Sequence, residues 1–237
     1  MPLPILESPK YILTVPSTNK NIEYRPFLVK EEKILLIAQE TGDENAITNA
    51  IKEIIKACTF NVLEPDELTS FDLEYIFLKL RAKSVGEISE VRCKCDKCEA
   101  LNTVSINIDE IKVTWPKTKI KDNTIMLTDT VGVTMHYVKV KDINSTSSSN
   151  KSQTETIIDT IIAMIDTIFD QSGIYKKEDS TKEELLTFIN SLNRSQMEKI
   201  EKFIIDSPKL THDVKFKCDK CKHDNNLTLS GTQSFFE

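Results

Sequence analysis

The residues of this chain best suited to chemistry are cysteines in two copies of the pentapeptide Lys-Cys-Asp-Lys-Cys, at Lys94–Cys98 and Lys217–Cys221. Two cysteines separated by two residues place both thiolates of one tight turn on the same metal ion, and four thiolates complete a tetrahedron around Zn²⁺. Each copy therefore predicts one half of a metal site, although the copies lie far apart in the sequence.

The similarity of the two copies extends into their flanks. Residues 91–106, VRCKCDKCEALNTVSI, align without a gap with residues 214–229, VKFKCDKCKHDNNLTL. Each stretch predicts a strand, a Cys-x-x-Cys turn and a return strand, which is the zinc-knuckle hairpin. Cys93 falls opposite Phe216, which cannot bind a metal. The predicted ligands of one structural Zn²⁺ per chain are Cys95, Cys98, Cys218 and Cys221.

The alignment also assigns roles to other residues. Cys93 is interpreted as a strand residue that packs where Phe216 packs in the other hairpin, and Asn102 matches Asn225. Cys58 lies in the apolar helical run IKEIIKACTF and is interpreted as a small buried hydrophobic residue.

Three alternatives to a site of four cysteines and zinc remain open. His223 follows Cys221 closely and could replace one thiolate, although the repeated hairpin disfavours this. Two disulfides would use the same cysteines, but a chain of this length with six cysteines is not disulfide-dense. An iron–sulfur cluster also accepts four cysteines, and the paired hairpins favour zinc over it. A catalytic zinc would keep an open position, so the predicted role of the zinc is structural.

The composition argues against an enzyme. The 237 residues include five glycines and three histidines, which leaves little material for phosphate-binding loops or for general acid–base catalysis. Neither a nucleophile elbow nor a His-Glu-x-x-His string is present. We therefore predict a protein without catalytic residues or a catalytic cofactor.

The basic residues of the hairpins raise an alternative function, that of a zinc-ribbon nucleic-acid-binding protein. They are Arg92, Lys94, Lys97, Lys215, Lys217, Lys220 and Lys222. The net charge of −6 disfavours extensive nucleic-acid binding, and the hairpins carry no evident platform of aromatic side chains. The lysines also offset the net negative charge of four thiolates around one divalent cation.

Hydrophobic periodicity and turn residues predict the elements. Helices are expected at about Lys30–Glu40, Glu44–Ala57, Ser70–Lys83 and Glu155–Phe169, followed by two shorter ones with capping boxes at Ser180/Glu183 and Ser195/Glu198. Strands outside the hairpins are expected at Tyr11–Val15, Asn21–Leu28, Ile111–Trp115, Thr124–Leu127 and Val131–Val140.

The predicted fold class is α+β, with helical N-terminal and C-terminal parts around a small antiparallel β region. The two hairpins are expected to form one composite, zinc-ribbon-like site. The predicted segments are 1–90 (extended segments and three helices), 91–142 (first knuckle and β region), 143–154 (polar linker or loop), 155–208 (helical region) and 209–237 (second knuckle and tail).

Three segments resemble the baseplate hub proteins of T4-type contractile-tailed bacteriophages. They are LPILESPKYILTVPST near the start, YRPFLVKEEKILLIA at residues 24–38 and FDLEYIFLKLRAKSVGE at residues 71–87. The length and the order of elements agree over most of the chain. The resemblance implies a virus-encoded protein of the tail baseplate hub, which is either a structural subunit or a hub assembly factor and acts through protein–protein contacts.

The resemblance also implies partners and location. The expected partners are other tail or baseplate hub proteins, including the tape measure protein. The expected location is the host cytoplasm during assembly, and the virion for a permanent subunit; a tail assembly chaperone absent from the mature virion is the alternative. No membrane span is predicted, because the most apolar stretch is short and contains Asp159 and Asp166. No signal peptide is predicted, because the N-terminal sequence MPLPILESPK has no basic region followed by an apolar core. Phe235 and Phe236 in the C-terminal tail are interpreted as docked in a groove, offered to a partner, or disordered.

Overall fold

A computed structural model describes residues 6–116, 123–146 and 152–231. In these ranges the chain contains seven α-helices and small antiparallel sheets, which confirms the predicted α+β class. The helices are α1 (Val29–Thr41), α2 (Glu44–Cys58), α3 (Ser70–Ser84), α4 (Val140–Thr146), α5 (Gln153–Met164), α6 (Lys182–Ser191) and α7 (Arg194–Ile205).

The strands form two two-stranded sheets and two larger sheets. They are β1 (Tyr11–Thr14), β2 (Asn21–Tyr24), β3 (Ile88–Lys94), β4 (Leu101–Asn107), β5 (Lys112–Thr114), β6 (Thr124–Met126), β7 (Gly132–Met135), β8 (Ile165–Phe169), β9 (Ile174–Lys176), β10 (Lys209–Lys217) and β11 (Asp224–Ser230). β1 pairs with β2 and β3 with β4, while the larger sheets have the orders β11–β10–β5 and β6–β7–β8–β9.

The chain folds as two compact units. One consists of Met1–Thr114 and Lys209–Glu237, and the other is Trp115–Pro208. The chain leaves the first unit at the end of β5 and returns at the start of β10, where Thr114 is paired with Lys209. One unit therefore contains the N-terminal helices and both cysteine-bearing hairpins, β3–β4 and β10–β11. The sequence predicts these elements in separate segments.

The first unit has a core that draws equivalent residues from both hairpins. Val91 and Ile106 of the first hairpin are buried in the same cluster as Val214 and Leu229 of the second, and α3 adds Leu78. Val91 aligns with Val214 and Ile106 with Leu229 in the repeated sequence. The repeat thus encodes two copies of one inward-facing surface, which pack in a shared core.

The second unit packs α5, α6 and α7 with its four-stranded sheet. Its core consists of the buried residues Ile125, Leu127, Val133, Met135, Ile161, Ile162, Met164, Ile165, Leu185, Ile189, Ile200 and Phe203. Among the described residues, no helix of either unit has the length and apolar character needed to cross a bilayer.

The structure corrects two element predictions in the second unit. The helix predicted over Glu155–Phe169 ends at Met164, and the next five residues form β8, which pairs with β7. This segment, IDTIF, is rich in β-branched and aromatic residues, and its tertiary pairing outweighs the helical spacing of its isoleucines. The strand predicted over Val131–Val140 ends at Met135, where the register of β7 with β8 is irregular.

Helix starts account for further differences. The expected capping boxes at Ser180 and Ser195 are wrong: the N-caps are Thr181, paired with Glu184, and Asn193, paired with Gln196. In both helices the cap and its partner keep the expected spacing of three residues, but the pair lies one or two residues away from the predicted one.

The predicted polar linker is partly helical. α4 extends to Thr146 and α5 begins at Gln153, while residues 147–151 lie outside the described residues. Phe235 and Phe236 also lie outside them. β2 ends at Tyr24, short of the predicted Leu28.

A buried ion pair fixes the start of α1. The Glu31 carboxylate is buried and accepts hydrogen bonds from the Arg25 guanidinium at 2.7 Å and from the Leu28 backbone N–H at 2.8 Å. Burial by itself raises the pKa of Glu31, but these donors outweigh it and hold the pKa below its ordinary value. The ionised form is therefore the one that stabilises this helix start.

We expect Glu31→Gln to lower the unfolding free energy by about 2 kcal/mol at neutral pH, because a charged hydrogen-bond acceptor is lost beside a partly buried arginine. The folded pKa lies below the unfolded one, so this contribution is complete above the unfolded pKa of about 4.3 and is lost as pH falls through the folded pKa. Urea unfolding at neutral pH and at about pH 3 checks this, with Glu32→Gln as the control. A penalty independent of pH would contradict the assignment to the carboxylate.

Candidate metal centre

The two Cys-x-x-Cys turns have the same backbone structure. In each turn the N–H of the first cysteine donates to the last carbonyl of the loop, from Cys95 to Ala100 at 3.0 Å and from Cys218 to His223 at 2.9 Å. A second bond closes each turn at 2.9 Å, from the N–H of Glu99 to the Cys95 carbonyl and from that of Lys222 to the equivalent carbonyl.

The equivalent residues Glu99 and Lys222 both have a φ of 57°, which is unusual for residues other than glycine. Both turns thus adopt the same left-handed backbone conformation at the equivalent position, although the residue there differs. This agreement supports the prediction from sequence that the hairpins are two copies of one metal-binding element.

The hairpins bring the four predicted ligands together. The Sγ atoms of Cys95, Cys98, Cys218 and Cys221 all lie within 4.8 Å of one another. Between the hairpins, the Sγ atoms of Cys95 and Cys221 are 3.7 Å apart and those of Cys98 and Cys218 are 3.6 Å apart. A tetrahedral Zn²⁺ with Zn–S bonds of about 2.3 Å separates its sulfurs by about 3.8 Å, whereas a disulfide bond measures about 2.05 Å. The spacing therefore fits the edges of a thiolate tetrahedron.

Hydrogen bonds from backbone N–H groups favour the ionised thiolate form of the first cysteine in each turn. The N–H groups of Cys221 and Lys220 lower the pKa of Cys218 to about 6. Burial opposes ionisation of Cys95, but hydrogen bonds from the N–H groups of Cys98 and Lys97 still lower its pKa. Each turn is thus built to stabilise negative charge on its first sulfur before any cation is considered.

Crowding of the sulfurs has the opposite effect on Cys98. The N–H of Ala100 favours its thiolate, yet the neighbouring sulfurs, first that of Cys221, raise the pKa of Cys98 to about 12. Four thiols at this separation cannot all ionise by themselves, because like charges repel. A divalent cation at the centre would compensate this repulsion, so the donor set fits a metal ion such as Zn²⁺.

The other predicted candidates lie away from this group. In the described part of the chain, the one set of metal-ligating side chains close enough to share an ion consists of these four cysteines, so His223 is not a member. Cys93 is buried in the core of the first unit, and Phe216 packs against the same core. Cys58 is buried at the end of α2, and burial raises the pKa of its thiol to about 11.

The fold and the site define an α+β protein in which an early hairpin, β3–β4, and a late hairpin, β10–β11, meet at a four-cysteine cluster. The family model described as T4 bacteriophage base plate protein matches residues 8–237, and the chain belongs to this family. No curated protein and no solved structure matched the chain. This match confirms the resemblance of the sequence to T4-type baseplate proteins.

Proposed function

We propose that the chain is a structural protein of the tail baseplate hub that acts through contacts with other tail proteins and carries one structural Zn²⁺ per chain. The observation that carries the baseplate role is the family match over residues 8–237. The geometry of the thiols supports the metal. The chain thus works by binding and positioning partners, not by catalysis.

The four cysteines support a structural zinc ion in a composite, zinc-ribbon-like site. They would fill all four positions of a tetrahedral ion, leaving none for a substrate. A cluster of several irons would hold cysteines bound to different irons further apart than the 4.8 Å within which all four sulfurs lie. When bound, the ion would link β3–β4 to β10–β11 and so tie an early segment of the sequence to a late one.

The surface of α1 agrees with a role in assembly. Leu36 and Ile37 are 51% and 64% exposed, and Val29 on the same helix is also exposed. Apolar side chains grouped in this way are typical of surfaces that another protein covers. Within the family's setting, the covering protein would be a tail or baseplate component, with the tape measure protein and other hub proteins as the first candidates.

Purified virions and a deletion virus test the baseplate role. We expect cells infected with a virus that lacks this chain to accumulate tails without complete baseplates, seen by electron microscopy. Complete baseplates and infectious particles from the deletion virus would contradict the proposal. Mass spectrometry of wild-type virions then separates the two forms of the role: a permanent subunit is present, and an assembly factor or tail assembly chaperone is absent.

Nucleic-acid binding is the second candidate function. The seven basic residues of the hairpins are all exposed, which favours it. Exposed acidic residues of the same hairpins, including Asp96, Glu99, Asp219 and Asp224, interrupt this basic surface. A gel-shift titration decides between the two, since salt-sensitive binding at micromolar protein would support a nucleic-acid role and its absence would exclude one.

A further inference from the structure

Two buried asparagines connect the hairpins at the cysteine turns. The Oδ1 atom of Asn225 in the second hairpin accepts the backbone N–H of Asp96 in the first, at 3.0 Å. The Oδ1 atom of Asn102 in the first hairpin accepts the backbone N–H of Asp219 in the second, at 2.9 Å. Asp96 and Asp219 directly follow the first cysteine of each turn, so each asparagine contacts the partner turn next to a candidate ligand.

The other end of each carboxamide is held within its own hairpin. The Nδ2 group of Asn102 donates to the Ala100 carbonyl at 2.9 Å, and that of Asn225 donates to the His223 carbonyl at 3.0 Å. These carbonyls are the ones that also accept the N–H groups of the first cysteines. A reversed amide would place donor against donor at one end and acceptor against acceptor at the other, so the network defines both orientations.

The repeat alignment exchanges the two asparagine contacts with each other, as it exchanges the Cys95–Cys221 and Cys98–Cys218 pairs. Asn102 and Asn225 occupy equivalent positions in the repeated sequence, and they are 4% and 5% exposed. Each bridge passes from one turn to the other through hydrogen bonds of ordinary length. Together they connect each cysteine turn to the opposite hairpin.

We propose that Asn102 and Asn225 are positioning residues of the metal centre, which hold the two cysteine pairs at the separation needed to bind one ion. This inference rests on the metal ion proposed above. The half-sites come from different hairpins, and the two asparagine contacts are hydrogen bonds that join these hairpins directly at the cysteine turns. A carboxamide provides both a donor and an acceptor without adding a further negative charge beside four thiolates.

Asparagine suits this position better than its closest relatives. Aspartate would keep the acceptor but lose the Nδ2 donor and place a carboxylate beside the sulfurs. Glutamine would carry the amide one methylene further from its backbone and disturb a buried arrangement that is hydrogen-bonded at both ends of the carboxamide. The preorganised spacing lowers the cost of bringing the half-sites together when the ion binds.

The test measures metal affinity in Asn102→Ala and Asn225→Ala, by competition between the protein and a chromogenic zinc chelator. We expect each variant to bind zinc about 10- to 100-fold more weakly than wild type. The number of ions at saturation should stay at about one per chain, and the Co²⁺-substituted protein should keep the absorption of four-thiolate coordination. Asn226→Ala is the matched control, because this residue is adjacent and exposed, and its affinity should not change.

Any buried amide can stabilise a fold, so thermal stability alone does not distinguish the roles. Unchanged zinc affinity in both variants, with lowered thermal stability, would assign the asparagines to the fold and overturn the inference. If the alanine variants do not fold, Asn102→Asp and Asn225→Asp provide the same comparison, with the same weakening expected. Wild-type protein that binds no zinc would instead contradict the proposed metal centre, and this result is recognised before any variant is made.

Discussion

Replacing Cys218 with serine is expected to abolish binding of the proposed zinc ion and to lower the unfolding free energy of the first unit by about 4 kcal/mol or more. Loss of a structural metal is among the few single changes with so large an effect, since structural zinc contributes roughly 10–16 kcal/mol of apparent free energy in finger peptides. The Cys218 sulfur lies 3.6 Å from that of Cys98, so its loss opens the tetrahedron. Metal analysis after dialysis and chemical unfolding measure the two effects. Cys95→Ser should behave in the same way.

Cys93→Ser provides the matched control for these variants. Cys93 lies two residues before Cys95 and is equally buried, but it belongs to the apolar core and not to the four-cysteine cluster. We expect a cost of about 1–3 kcal/mol for placing a hydroxyl in the core, with zinc content unchanged. Loss of zinc in all three variants would contradict the assignment of ligands from the repeat.

Chelating the proposed zinc ion from the wild-type protein is expected to release the hairpins β3–β4 and β10–β11 while leaving the second unit folded. Without a cation, the sulfurs repel one another on ionisation, and the cluster no longer links β3–β4 to β10–β11. We expect hydrogen exchange of the hairpin amides to accelerate on the order of 100-fold or more. The second unit has its own core, so the amides of β7 and β8 should keep their exchange rates. Exchange is measured by mass spectrometry before and after chelation.

Readdition of zinc is the control for this experiment and should restore hairpin protection. Hairpin exchange rates that do not respond to chelation would show that the metal does not hold the two hairpins together. Equal acceleration in both units would show that the ion stabilises the whole chain and not one unit.

The repeated sequence predicts the four-cysteine cluster because its signal is local. A pair of cysteines at fixed spacing in one turn can be recognised without knowing the rest of the fold. The alignment of Cys93 with Phe216 separates Cys93 from the predicted ligands. The same alignment pairs Asn102 with Asn225, which was a signal that the asparagines share a role. Their contacts with the opposite turns were not predictable, because those contacts exist only once the hairpins are packed.

Long-range pairing explains the main errors in the predicted fold. The isoleucines before and after Met164 continue one helical spacing, so the sequence does not mark the change from α5 to β8. Pairing with β7 selects the strand, and in that pairing Gly132 lies opposite Phe169. A Cβ atom on Gly132 would collide with the Phe169 ring, so glycine provides the space that this aromatic residue needs. The grouping of early and late segments in one unit likewise depends on β5 pairing with β10.

The metal content of the purified wild-type chain, measured by elemental analysis and by native mass spectrometry, tests whether the four cysteines hold a structural zinc ion. A structural centre formed by Cys95, Cys98, Cys218 and Cys221 predicts about one zinc per chain, retained through dialysis and bound within a single polypeptide. Iron in place of zinc would contradict the proposed zinc centre. So would less than about 0.2 zinc ions per chain, with these four cysteines free or oxidised to disulfides.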